Sequence, residues 1–133
     1  MPATTDNNST NHDHAGQVAS AISTATVHLL REYTGRGPTR AKTYMNQDVI
    51  TIVLQDTLTK GERSLAAGGE SASVLHTRQL FQQTMRGDLV EAVERLSGRT
   101  VHAFMSANHI DPDMAVETFV LEPEPEPETA PPV

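Results

Sequence analysis

The sequence predicts an α+β domain, built as a two-layer sandwich in which a four-stranded antiparallel sheet carries two main helices on one face. Two long stretches place apolar residues at helical steps of three and four, and four short stretches alternate apolar with polar residues. Turn residues connect the first short stretch to the second and the third to the fourth, which predicts two hairpins. The predicted order is therefore α-β-β-(α)-α-β-β, since strands joined as hairpins pair antiparallel.

The first helix is predicted over about residues 15 to 34. Its apolar face repeats at four- and three-residue steps, at Val18, Ile22, Ala25, Leu29 and Tyr33. Gly35 can adopt the left-handed conformation that ends a helix, and Pro38 has no N–H with which to continue one. The segment around Gly35 is thus first of all a helix stop.

The first hairpin is predicted from residues 39–46 and 48–56. Ile50, Ile52 and Leu54 fall on one face of its second strand, and the residues between the two strands suit a tight turn. A shorter helix follows over about residues 58–68. Thr59 is its predicted N-cap and Glu62, three residues on, completes a capping box. The order of the strands in the sheet is left open.

The second main helix is predicted over about residues 71 to 96, ending at Gly98. Gly87 lies inside it and should cost about 1 kcal/mol relative to alanine, which a close contact or a bend would explain. The apolar stripe of this helix consists of Phe81, Met85, Leu89, Val93 and Leu96.

The second hairpin follows from residues 99–108 and 114–122, joined through an Asp-Pro-Asp turn.

Composition divides the chain into three parts. Residues 1–14 and 123–133 hold few large apolar side chains and no Lys or Arg, so we expect disordered tails around one domain at residues 15–122. Much of the formal net charge of -7 belongs to these tails, and the body is close to neutral. This argues against general nucleic-acid binding, although a local positive patch stays open.

Two further features exclude classes of protein. Cysteine is absent, which excludes disulfide frameworks, thiolate nucleophiles and Cys-ligated metal sites. No apolar run reaches the roughly 20 residues that a membrane-spanning helix needs. We expect a soluble, cytoplasmic protein.

The basic segment Arg36, Arg40 and Lys42 has two interpretations. These residues follow a helix C-terminus, whose partial negative charge favours cations, and Arg40 and Lys42 share one face of a strand. They can simply complement that helix end and solvate the strand. Alternatively, they bind an anion or a protein partner, and they are the candidate site residues of this chain.

Metal binding and catalysis have weaker support. The spacing of His102, His109, Asp111 and Asp113 matches no recognised ligand motif, and Asp-Pro-Asp is explained as a turn. Ser106 and Asn108 precede His109, but strand alternation places neighbouring residues on opposite faces. No nucleophile elbow, phosphate-binding loop or zincin motif is present. We predict no enzyme, no cofactor, no metal site and no buried polar cluster that could support turnover.

Nucleic-acid binding is an alternative from another class. Small α/β sandwiches often bind RNA through aromatic residues displayed on the sheet. This chain has few aromatic residues, and Phe104 and Phe119 fit a core position at least as well. Binding of RNA, DNA or a small anion is therefore kept as the second hypothesis.

Several segments resemble the MpsC family, a bacterial family named after a component of a sodium-linked membrane-potential-generating system. They are the Gly35–Pro38 run, Leu58-Thr59, "VEAVERLSGRTV" and "NHIDPDMAVETFVL", within a likeness that spans about residues 15–122. The resemblance implies a non-enzymatic accessory or regulatory domain linked to membrane energisation or inorganic-carbon uptake. It implies protein partners, a transporter component or a second copy of the chain among them. It supplies no catalytic residues.

Overall fold

The computed structural model describes residues 3–125 and confirms the α+β architecture and the predicted order of elements. Residues 1–2 and 126–133, which belong to the predicted tails, lie outside the described residues. The elements in chain order are α1 (Ala3–Thr34), β1 (Arg40–Asn46), β2 (Val49–Gln55), α2 (Lys60–Ala67), α3 (Ser71–Ser97), β3 (Val101–His109) and β4 (Met114–Leu121).

Helix α1 starts much earlier than predicted. It begins at Ala3 and not near residue 15, so residues 3–14, predicted to be disordered, are helical. Each residue added to an existing helix gains a hydrogen bond without a new nucleation cost. The composition of the segment does not show this gain, because it depends on the helix that follows. The predicted C-terminal stop is confirmed, because Gly35 has φ 79 and donates to the carbonyl of Arg31 at 2.9 Å.

The four strands form one antiparallel sheet in the order β1-β2-β4-β3. Each hairpin therefore supplies one central strand and one edge strand, and the two hairpins join where β2 pairs with β4. In this register Ile50 lies opposite Phe119, which in turn lies opposite Phe104. This pairing places the apolar alternate residues of both hairpins on the same face.

The core fills the space between that inner face and the two long helices. Helix α1 contacts the β1 side of the sheet and α3 contacts the β3 side. The Phe104 and Phe119 rings lie 4.8 Å apart, and Phe119 is fully buried, so both aromatic residues pack inward as predicted. The buried core cluster consists of Ile22, Leu30, Ile50, Ile52, Leu54, Met85, Leu89, Val93, Ala115, Phe119 and Leu121.

The short helix α2 has the predicted capping box. The Thr59 hydroxyl accepts from the Glu62 backbone N–H at 3.1 Å, and the Glu62 carboxylate accepts from the Thr59 N–H at 2.9 Å. Two otherwise unpaired donors at the helix start are thereby satisfied. Helix α2 packs against α3, which holds the loop after β2 close to the sandwich.

We expect Gly87→Ala to raise the free energy of unfolding by about 1 kcal/mol. The close contact suggested by the sequence is wrong, because a Cβ built at Gly87 meets no atom within 4 Å. The methyl group therefore adds no clash and removes backbone freedom from the unfolded chain. Denaturant unfolding measures the change.

The matched control is Gly98→Ala, which also has open space around the added Cβ. Gly98 has φ 70, so an alanine there is strained and should lower stability. A Gly87→Ala protein that is no more stable than the wild type would contradict this account of the helix.

Candidate functional site

The outer face of the sheet, defined here as the side chains of the four strands that point away from α1 and α3, combines valine, alanine, methionine and tyrosine with uncharged polar residues and two basic ones. Within residues 3–125 no helix packs over it, and Tyr44 and Met105 are 52% and 54% exposed. The central rows across the sheet are Lys42-Val53-Val116-Ala107, Tyr44-Thr51-Thr118-Met105 and Asn46-Val49-Val120-Ala103. An uncovered face of this kind is typical of an interaction surface.

The charges of the outer face lie at one edge. Arg40 and Lys42 project from β1, and the strand positions of this face include no Asp or Glu. The Lys42 ammonium lies 5.2 Å from the centroid of the Tyr44 ring, a cation–π distance. Two of the three predicted site residues are therefore neighbours on the edge strand.

Arg36, the third predicted residue, lies apart from this pair. Its Nε donates to the carbonyl oxygen of Asp56 at 3.1 Å, which ties the loop before β1 to the end of β2. Arg36 lines neither of the depressions that flank β1. The Arg36 guanidinium therefore stabilises the loop between α1 and β1.

A groove of about 810 Å³ runs between α1 and β1 on the inner side of this edge. Among the described residues its lining includes His28, Arg31 and Lys42 and no carboxylate, and the side chain of Lys42 points to the outer face. Arg31 belongs to the last turn of α1, where the helix dipole favours a cation. The hydroxyl groups that line the groove belong to Ser20, Ser23, Thr24, Thr39 and Thr43.

A second depression, of about 570 Å³, flanks β1 on the outer face. Arg40, Lys42 and Tyr44 line it together with Val53 and Gln55 of the neighbouring strand. The edge strand thus has a basic depression on each side. We call β1, Arg31, Arg40 and Lys42 the β1 edge site.

A buried polar cluster that was not predicted from the sequence lies between α3 and the inner face of β3 and β4. Gln82 Nε2 lies 2.9 Å from both Asn108 Oδ1 and Glu117 Oε1, and Asn108 Nδ2 donates to Gln82 Oε1 at 2.8 Å. The Ser106 hydroxyl donates to Glu117 Oε2. Glu117 is only 2% exposed.

The sequence contained a signal for this cluster. Glu117 alternates in phase with Ala115 and Phe119, so its side chain must point into the core with theirs. The strand residues Ser106 and Asn108 also point inward, whereas His109 pairs in the outer row, as alternation predicts.

Arg78 and Glu62 extend the buried polar region toward α2. Arg78 is 2% exposed, and its Nη1 lies 3.5 Å from Glu62 Oε1 and 3.4 Å from the Thr57 carbonyl oxygen. Among the described residues, Glu62 Oε2 and Arg78 Nε have no hydrogen-bond partner. A buried ion pair with unpaired atoms costs desolvation energy, which makes it weak evidence for stability.

Burial raises the pKa of Glu117 to about 7, because the core disfavours its charged form. Hydrogen bonds from Ser106 and Gln82 and the charge of Arg78 act in the opposite direction without offsetting burial. The cluster can therefore take up or release a proton near neutral pH. Glu117 itself is buried, but Gln82, Ser106 and Asn108 also line a surface depression of about 400 Å³, so this side of the cluster faces solvent.

The residues considered for metal binding make other contacts. The Asp113 carboxylate accepts hydrogen bonds from the Thr57 and Leu58 backbones at 3.1 and 3.0 Å, and the Thr57 hydroxyl also donates to it. His109 Nδ1 lies 2.8 Å from the Pro112 carbonyl oxygen. In residues 3–125, no three His, Asp or Glu side chains are grouped closely enough to hold a metal ion.

We expect the stability of the protein to fall as pH rises toward 7, and Glu117→Gln to remove that part of the dependence. The folded protein keeps the Glu117 proton up to about pH 7, whereas the unfolded chain loses it near 4.5. Between these values the folded state binds more protons, so higher pH favours unfolding, by roughly 3 kcal/mol in total.

Denaturant unfolding at pH 5 and pH 8 measures this difference. The control is Glu32→Gln, which removes an exposed carboxylate from α1. A Glu117→Gln protein that keeps the wild-type difference between the two pH values would contradict the buried titration.

Comparison with known proteins identifies the family but no individual relative. No helix within residues 3–125 is long and apolar enough to cross a membrane. No curated protein and no solved structure matches the chain. The family model described as "Na+-translocating membrane potential-generating system (MpsC)" matches residues 14–123, which is most of the chain. The protein therefore belongs to the MpsC family.

Proposed function

We propose that this protein is a non-enzymatic, cytoplasmic accessory or regulatory module of a membrane-potential-generating system, and that it works by binding another protein. The description of its family supplies the link to such a system. The observation that carries the binding role is the β1 edge site, an edge strand with basic depressions on both sides.

An edge strand is suited to bind an extended segment of a partner. Within residues 3–125, strand β1 pairs with β2 alone, so the N–H and C=O groups on its other side face away from the sheet. A partner segment can add there as a fifth strand, with main-chain hydrogen bonds giving affinity and alternate side chains giving specificity. The two depressions lie where those alternate side chains would fall.

The charges define the chemistry of the partner. Arg31 supplies a positive charge to the inner groove, and Arg40 and Lys42 supply two to the outer depression, with no carboxylate among the described residues of either lining. The partner segment should therefore carry Asp or Glu on both faces of its strand. Because the whole chain is acidic, a local group of basic residues at this edge would favour one place and orientation for an acidic segment.

Nucleic-acid binding has less support. Single-stranded nucleic acid is usually bound by stacking on exposed aromatic rings. Phe104 and Phe119 pack in the core region, which leaves Tyr44 as the aromatic residue of the described outer face. A protein segment, which needs hydrogen bonds along a strand more than stacking surfaces, fits this edge better.

The test is affinity purification of the protein from its native cells, after nuclease treatment, with identification of the proteins that co-elute. We expect a component of a membrane system to co-elute with the wild type. The double charge reversal Arg40→Glu and Lys42→Glu should reduce its recovery at least about tenfold, because attraction becomes repulsion.

The control variant carries Lys60→Glu and Arg63→Glu, which reverse two exposed charges on α2 away from β1. It should recover the component as the wild type does, and all three proteins should have similar thermal unfolding curves. Equal recovery with the β1 double variant would remove this edge from the proposal.

A further inference from the structure

A partner on the β1 edge would leave uncovered the valines and threonines that β2 and β4 place at the centre of the outer face. We infer that a second copy of this chain covers them, through a symmetric dimer in which the two sheets pack face to face. The proposal does not depend on the identity of the partner at the β1 edge site.

The size of the face fits a dimer interface. Four strands about 4.8 Å apart and about seven residues long, at about 3.3 Å each, give a projected area of roughly 450 Å². Two copies would bury roughly 900 Å² of projected area, and more accessible surface once side-chain relief is counted. Stable, specific interfaces begin near this total.

The arrangement of the most exposed side chains favours a second copy over an unrelated protein. Tyr44 and Met105 lie at opposite ends of the same row, Tyr44 on one edge strand and Met105 on the other. A two-fold axis parallel to the strands, through the middle of the sheet, sets Tyr44 of each copy opposite the partner subunit's Met105. This gives two sulfur–aromatic contacts from one symmetry operation.

The charge distribution is compatible with the same axis. The row that begins with Lys42 ends with Ala107, so Lys42 faces the partner subunit's Ala107 and stays away from the partner subunit's Lys42. Arg40 lies in the adjacent row on the same edge and remains at the rim. With the strands of the two sheets aligned to within about 30°, the centre of the interface is formed by valines and threonines.

Such a dimer would leave both β1 edges open at opposite flanks. Each copy buries its outer face, including the outer depression beside Lys42, but leaves open the side of β1 that faces away from β2 and the inner groove beside Arg31. A partner with two acidic segments could then bind both edges and gain affinity through effective concentration.

The first experiment is sedimentation equilibrium of the full chain between about 1 and 100 μM. We expect a mass twice the 14.4 kDa of the chain at the upper concentrations. Thr51→Glu, in the central row, should raise the dissociation constant at least about tenfold, because it buries a charge in the interface. The control Thr77→Glu, on the exposed side of α3, should dimerise as the wild type does.

The second experiment uses the absence of cysteine to test the symmetry axis. Single-cysteine variants Tyr44→Cys and Met105→Cys, carrying different tags, are mixed and oxidised. We expect the mixed 44–105 disulfide to form faster than either 44–44 or 105–105.

Three results would overturn the inference. The first is a monomer at all concentrations, and the second is a dimer that Thr51→Glu does not weaken. The third is faster 44–44 cross-linking, which would set β1 against the partner's β1. Thr51 lines neither depression beside β1, so Thr51→Glu should recover the component in the affinity purification as the wild type does, which distinguishes failure of the dimer from failure of the β1 edge site.

Discussion

The structure depends on the two-residue alternation of β2 and β4, the two central strands. Ile50, Ile52 and Leu54 point to one side together with Phe119 and Leu121, and all five are buried under α1 and α3. Successive side chains of a strand point to opposite faces of the sheet. Once this set is buried, the residues between its members must therefore lie on the outer face. Two helices cover one face only, and the second face is left as a surface of valine, threonine, tyrosine and methionine. Both proposed binding regions follow from this one-sided core.

Part of the same core is polar, and this part limits stability. Gln82 and Arg78, one helical turn apart on α3, replace apolar side chains with groups that need partners. Gln82 is satisfied by Asn108 and Glu117, while Arg78 Nε is not. Paired groups of this kind order the contact between α3 and the β3–β4 hairpin. They contribute less to the free energy of unfolding than well-packed hydrophobic residues of similar volume would. We therefore expect local unfolding of the sandwich to begin at the contact between α3 and β3.

Much of the fold could be predicted from the sequence because local signals and tertiary packing agree. The Thr59 capping box, the Gly35 helix stop and the alternation in β2 each specify local structure without knowledge of the partner element. Strand order could not be predicted, since it depends on which central strands meet and not on either hairpin alone. The polar cluster is harder to predict, because a glutamate in phase with Ala115 and Phe119 is buried only when partners from α3 and β3 satisfy it. Arg36 was grouped with Arg40 and Lys42 by distance along the chain, whereas the backbone of Asp56 holds its guanidinium elsewhere.

The central claim is that the outer face is an interaction surface that a second copy covers in solution. The most direct measurement is the accessibility of individual valine methyl groups to a soluble paramagnetic probe, followed by methyl NMR over a range of protein concentrations. The account predicts that Val53, Val116 and Val120 are as protected as the core methyl groups of Ile50 and Leu54 at high concentration, and that dilution exposes the valines only. Valine signals that the probe broadens equally at every concentration, while the core stays protected, would contradict it.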